Sequence, residues 1–166
     1  MIKKVAGMYA LKDGSMSFVW LELDTETDTV RVYDSCVFST EVPAVIAEGV
    51  RARGRWVPIG WNNQEMMQCL LDRGCKMLPE ATSDSDEYAE VISREIWERM
   101  RSQRFVVDRK LTAWFEEAGT LERDGNKIPR DSHPLIAATR MAIANLDSAK
   151  AKQTYRPKPG PQVAMI

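Results

Sequence analysis

The chain contains a single histidine, His133, and only three cysteines, Cys36, Cys69 and Cys75. No two of the cysteines form a CxxC pair, and an odd number does not close a disulfide framework. With one imidazole in the chain, a zinc site of the usual Cys/His type is not expected. The three thiols read instead as small apolar residues packed in strands and helices. No apolar run approaches the roughly 20 residues that a spanning helix needs. Lys3 and Lys4 are followed by no apolar stretch of the signal-peptide kind. The expected setting is therefore the cytoplasm, with no membrane partner. Net charge is scarce as well: the formal value is -1, so there is no global basic footprint for nucleic acid and only a local patch could serve. There is no GxxxxGK[ST] loop for a nucleotide phosphate, and no internal repeat.

What the chain does have is the composition of one soluble domain with a sizeable core. Residues 3–10, 16–23 and 29–38 are rich in strand formers. They are joined by polar turns at 12–14 and 24–28, which suggests an antiparallel meander. The period then changes. Residues 41–53 place Val42, Val45, Ile46 and Val50 on one helical face, with Pro43 in the first turn and Gly54 at the end. A short apolar strand is expected at 56–61 and a helix at 63–73, carrying Met66, Met67, Leu70 and Leu71 and ended by Gly74. Another short strand is expected at 76–78.

The longest helix is expected at 83–103, with an apolar stripe of Tyr88, Val91, Ile92, Ile96 and Met100. Its first turn is acidic and its last basic, which suits the helix macrodipole. A strand at 105–107, a helix at 111–118, a glycine-containing hairpin or loop at 121–128 and a helix at 134–147 complete the order. After Asp147, Lys150, Lys152, Arg156 and Lys158 occur among three prolines with no acid. That composition buries little and reads as a flexible basic tail. The division expected is one domain at 1–148 and a tail at 149–166. The fold class is α/β. Three antiparallel strands followed by parallel crossovers give the mixed, helix-flanked sheet of the ribonuclease-H-like layout.

Several short motifs follow one another along this framework. They are Val-Ala-Gly-Met at 5–8, Trp56-Val-Pro-Ile-Gly-Trp61, Glu98-Arg-Met-Arg-Ser-Gln-Arg-Phe-Val-Val107, Ala113-Trp-Phe-Glu-Glu117, Arg123-Asp-Gly-Asn-Lys127 and Leu135-Ile-Ala-Ala-Thr-Arg140. In this order and spacing the chain resembles the C-terminal nuclease domain of the large terminase subunit of tailed bacteriophages. The resemblance covers most of residues 4–146. It implies DNA packaging as the setting and two-metal phosphodiester hydrolysis as the family chemistry. Mg²⁺ or Mn²⁺ would be held by carboxylates, because hard cations need charged oxygen ligands.

The family's acidic positions look substituted here. Where an acid is expected at the end of the first strand, Gly7-Met8 is followed by Tyr9. Where one is expected after the Trp-containing strand, the chain has Asn62, Asn63 and Gln64, and Gln64 is taken as the matching position. In place of the Asp pair before the last helix stand His133 and Pro134. Nearby acids Asp13, Glu65 and Asp131 could replace the lost ones through a shifted register. The plainer reading makes them a turn residue, a first-turn helix acid and part of a helix-entry loop. His133 could be a general base, but it also fits as the neighbour of an N1 proline.

The leading expectation is thus a non-catalytic, terminase-nuclease-like phage or prophage protein in the host cytoplasm. It would need no cofactor and would act by binding DNA or packaging components such as the terminase or portal. The alternative is a Mg- or Mn-dependent DNA endonuclease using Asp13, Glu65 and Asp131. A third reading is a prophage remnant that folds without a role. For DNA contact, the cluster Arg99, Arg101, Arg104 and Lys110, with Arg109, is the candidate. A solvated face at a helix C-terminus is the competing reading. The tryptophans are expected in the core rather than as base-stacking platforms.

Overall fold

The computed structural model describes residues 1–39, 42–122 and 127–153. Three long strands open the chain: β1 (Ile2–Ala10), β2 (Met16–Asp24) and β3 (Thr29–Phe38). They are followed by α1 (Pro43–Ala52), β4 (Ile59–Gly60), α2 (Gln64–Leu71), α3 (Asp86–Arg101), β5 (Phe105–Val107), α4 (Thr112–Gly119) and α5 (Pro134–Ile143). The sheet order is β4-β1-β2-β3-β5. β1, β2 and β3 pair antiparallel, while β4 runs parallel to β1 and β5 parallel to β3. This is the expected mixed sheet. Two expected strands are shorter than their sequence pattern suggests. Pro58 has no N–H to give a ladder, although its carbonyl accepts from the Ala6 amide at 2.9 Å. Residues 76–78 contribute one parallel bridge, Ile59 to Met77.

Helices cover both faces. Val5 and Tyr9 of β1 point into a core shared with α3, α4 and α5. Ala6 and Met8 point the other way, into a core shared with α1 and α2. β2 lies in the middle of the sheet, so Met16 to Leu21 are buried without alternation. α5 is buried from Leu135 to Ile143. It presses on the sheet where side chains are missing. A β-carbon on Gly7 would overlap the Ala138 carbonyl oxygen and crowd the Ala142 amide. One on Gly60 would overlap the Asn145 side-chain amide. The Gly-Met and Ile-Gly-Trp motifs are thus the floor on which this helix lies.

The apolar faces expected for three helices are only partly turned inward. On α1, Ile46, Ala47 and Val50 are buried but Val42 and Val45 are exposed. On α2, Leu70 is buried and Leu71 exposed. On α3 the inward face is Ala89, Ile92, Ile96 and Arg99, while Tyr88, Val91 and Met100 lie outside. Arg99 takes a core-facing place because its guanidinium reaches Asp28 in the β2–β3 turn. Trp20, Trp61 and Trp114 are core residues and Trp56 is half-buried, but Trp97 is 56% exposed. Ala149 is buried and Lys150 bridges to Lys4. Residues 154–166, most of the expected tail, lie outside the described residues, as do 123–126 of the loop motif and the first residue of the helix expected from Glu41.

Candidate functional site

The parallel order of β1 and β4, with α5 crossing both, brings the end of β1 and the start of α5 together. Ser17 of β2 is fully buried, and its hydroxyl lies 2.8 Å from the Pro134 carbonyl and 3.2 Å from the Tyr9 carbonyl. Tyr9 is 5% exposed. Its hydroxyl donates a short hydrogen bond to the Asp131 carboxylate. The other carboxylate oxygen of Asp131 accepts from the Lys12 amide at 3.2 Å. Two of the positions singled out in the sequence, Tyr9 and the 131–134 segment, are therefore in direct contact.

The second position lies differently. Gly60 pairs with Gly7 in parallel register, and β4 ends there, two residues before Asn62. Asn62 is half-buried, and among the described residues its Oδ1 finds no partner. Asn63 caps α2, its side chain accepting from the Met66 amide at 2.9 Å. Gln64 and Glu65 are exposed on the first turn of α2. Asp13 is an exposed turn residue bonded to the Ser15 amide and hydroxyl, which hold its carboxyl below the usual range. Among the described residues, no three His, Cys, Asp or Glu side chains come together to hold a metal. Asp13, Glu65 and Asp131 are thus not brought into one cluster.

The site carries cations of its own instead. Arg130 bonds Asp84 through Nε and Asp86 through Nη1, both at 2.9 Å, and donates to the Asp84 carbonyl at 2.7 Å. Arg140 of α5 is 3% exposed and donates to the Pro129 carbonyl at 2.9 Å, while among the described residues its Nε has no partner. Burial pushes the Arg140 pKa down; nearby Asp84 and Tyr9 oppose that shift, and Arg130 adds to it. Burial is also the main cause of an upward shift at Tyr9, reinforced by the bond to Asp131 and by the charges of Asp131 and Asp84. A half-buried second tyrosine, Tyr33, is shifted up mainly by burial and then by Glu22 and Asp34.

Both tyrosines hold their protons above the ordinary value of about 10. Each is neutral in the fold where the unfolded chain would ionise. Their contribution is present below about pH 10 and is lost as pH rises past it. An alkaline titration followed by tyrosinate absorbance is expected to stop short until circular dichroism reports unfolding. Tyr9→Phe and Tyr33→Phe should each remove part of the late step. Full ionisation before any unfolding would contradict this.

His133 sits between two hydroxyls. Its Nε2 is 3.1 Å from Thr120 Oγ1 and its Nδ1 is 2.8 Å from Ser132 Oγ. It gives α5 no side-chain cap, and Pro134 occupies N1 or N2. The cap comes from α4: the Glu117 carboxylate accepts from the Leu135 amide at 2.9 Å and the Ile136 amide at 3.2 Å. Burial raises the Glu117 pKa, and the two amides and His133 pull it back. Sequence reasoning quoted Glu117 within a motif but gave it no role. The usable signal was an α5 start with neither a capping side chain nor an acid in its first turn. Glu117→Ala strands two half-buried amides, so it should cost about 1–3 kcal/mol in urea unfolding. A loss below a few tenths would remove this role.

The basic cluster is largely engaged. Arg99, 7% exposed, donates to the Asp28 carbonyl at 2.8 Å and meets the Asp28 and Glu95 carboxylates. Arg104 pairs with the other Asp28 oxygen at 2.5 Å. Arg101 lies over the Trp97 ring, 4.7 Å from its centroid, and 3.5 Å from Glu98. Arg109 and Lys110 are exposed on the loop before α4.

The mixed sheet, its strand order and the flanking helices match the ribonuclease-H-like fold of large-terminase nuclease domains. The P22 large terminase nuclease domain superposes with a TM-score of 0.78 at 18% identity, over 90% of this chain and 84% of that one. The large-terminase nuclease domain of bacteriophage SPP1, in a structure with bound Mn, gives 0.65 at 17% identity over 86% and 84%. The Mn-soaked human cytomegalovirus terminase nuclease domain gives 0.62 at 13% identity over 87% and 82%. No protein-family model matches the sequence, and no curated protein sequence matches it.

Proposed function

We propose that this chain is a non-catalytic relative of the terminase nuclease domains and serves phage DNA packaging by binding DNA or packaging components. The observation that carries the reading is the Tyr9–Asp131 hydrogen bond. In two-metal hydrolysis, converging carboxylates hold the cations that activate water and steady the leaving oxygen. Here the Asp131 carboxylate, at the end of β1, accepts from a phenol and a backbone amide. Asp84 and Asp86 are paired with Arg130. A phenol, a carboxamide and an imidazole at positions 9, 62 and 133 supply no negative charge for a divalent pair. The residues present do not fit the family's metal pair.

The test is cleavage of supercoiled plasmid by the pure, folded protein with Mn²⁺ or Mg²⁺, beside an Asp131→Asn variant. No nicking at high protein concentration is expected. Metal-dependent nicking that disappears in the variant would establish a working endonuclease and overturn this reading.

A further inference from the structure

We infer a second site at the opposite end of the sheet: a cleft around Trp56 that binds single-stranded DNA. β1 runs from Lys4 at this end to Tyr9 at the other, five residues or about 17 Å along the strand. β4 does not extend far enough to pair with the start of β1. Lys150 takes that place, its amide donating to the Lys4 carbonyl at 3.0 Å and its carbonyl accepting from the Lys4 amide at 2.7 Å. Lys76 is fixed at the same level by the Ile59 amide, which donates to its carbonyl at 2.9 Å. Backbone pairing therefore sets the positions of Lys76 and Lys150 and leaves their side chains outside.

The result is an open cleft of ≈ 420 Å³ lined by Trp56, Lys76, Lys150, Ala151, Lys152 and Gln153. All three lysines are exposed, and among the described residues none forms an ion pair. No acid lines the cleft. Lys4, the next cation inward, is already committed to Glu22 at 3.8 Å and to the Tyr33 ring at 4.4 Å. Half-buried Trp56 forms the aromatic wall. Unpaired cations set around an aromatic surface are what an unstacked nucleotide chain needs: ammonium groups for successive phosphates and a ring face for a base. The chain as a whole is nearly neutral, so affinity would have to come from a local concentration of charge such as this one.

The inference rests on the DNA-binding side of the proposed function and not on whether the chain cuts DNA. Plasmid cleavage reads the far end of β1, so either result there leaves this site standing or falling by its own test. That test is fluorescence anisotropy of a labelled oligothymidine of about 15 nucleotides, titrated with the full chain over a range of salt. The expected result is binding whose logarithm falls with log salt at a slope of about -2, from three phosphate contacts on a single strand. The triple variant Lys76→Gln/Lys150→Gln/Lys152→Gln should weaken it by roughly tenfold or more at low salt. Trp56→Leu should weaken it roughly tenfold through lost stacking. Circular dichroism and melting checks that both variants fold, with Lys76→Gln/Lys152→Gln as a milder pair. Three results would overturn the site: no binding at low salt, binding unchanged in a folded lysine variant, or duplex bound as tightly as single strand with no effect of Trp56→Leu.

Discussion

Gly7→Val is expected to leave no stably folded protein at 25 °C, a loss of at least about 3 kcal/mol. A β-carbon at residue 7 meets backbone atoms, the Ala138 carbonyl and the Ala142 amide, together with the Met141 β-carbon. Backbone cannot rotate aside as a flexible side chain can, so relief requires lifting α5 off β1. Every residue of α5 from Leu135 to Ile143 is buried, and displacing it opens the core it shares with Val5, Val19, Leu21 and Trp114. Gly7→Ala carries the same first atom and should also lose well over 1 kcal/mol. Urea unfolding of the alanine variant and expression of the valine variant check this. An alanine variant as stable as the parent would mean that α5 does not lie on β1 as described.

Tyr9→Asp carries the second large effect, about 3–5 kcal/mol lost at neutral pH. It removes a buried aromatic ring. It also sets a second carboxylate beside Asp131, where neighbouring like charges and burial raise the pKa. An acid with a raised folded pKa holds more protons in the fold than in the unfolded chain, so part of the lost stability returns as pH falls toward 5. Tyr9→Phe keeps the ring and removes one donor from Asp131, so it should cost only about 1–2 kcal/mol and show no such recovery. Chemical denaturation of both variants at pH 5 and 7 separates the cases. A Tyr9→Asp protein as stable as the parent at pH 7 would mean that the site already tolerates converging negative charge, as a metal site does.

The fold was legible where local pattern and tertiary position agree. β1, β2 and β3 were expected within a residue or two of their ends because their turns are polar and their strand residues nearly continuous. The stop of α2 near Gly74 followed from cap chemistry, and Gly74 does adopt a positive φ of 84°. The outward apolar residues of α3 were not legible. Sequence period cannot tell that Arg99, held by Asp28 from 71 residues away, takes a place on the inner face.

The candidate site was legible as a set of unusual residue types, but its partners were not. Tyr9 and Asp131 are separated by 122 residues. Glu117 reaches the α5 amides from 18 residues earlier, and Arg130 meets Asp84 across 46. These pairings depend on how distant elements pack together, which no local window contains. The pairing of β4 with β1 ends at Gly60, and residues 61–63 lead from there into α2, so no local pattern fixes which of Asn62 to Gln64 faces the end of β1.

We propose that the end of β1 is a hydrogen-bonded seam closed by Tyr9 and Asp131 and not a cation site. Calorimetric titration of the unmodified protein with Mn²⁺ tests it most directly, with a parallel melting curve at about 1 mM metal. The account predicts no saturable heat and no change in melting temperature. Saturable binding of one or two ions per chain, abolished by Asp131→Asn, would contradict it. At a hundredfold excess over its dissociation constant, a bound ion would also stabilise the fold by about 2.7 kcal/mol.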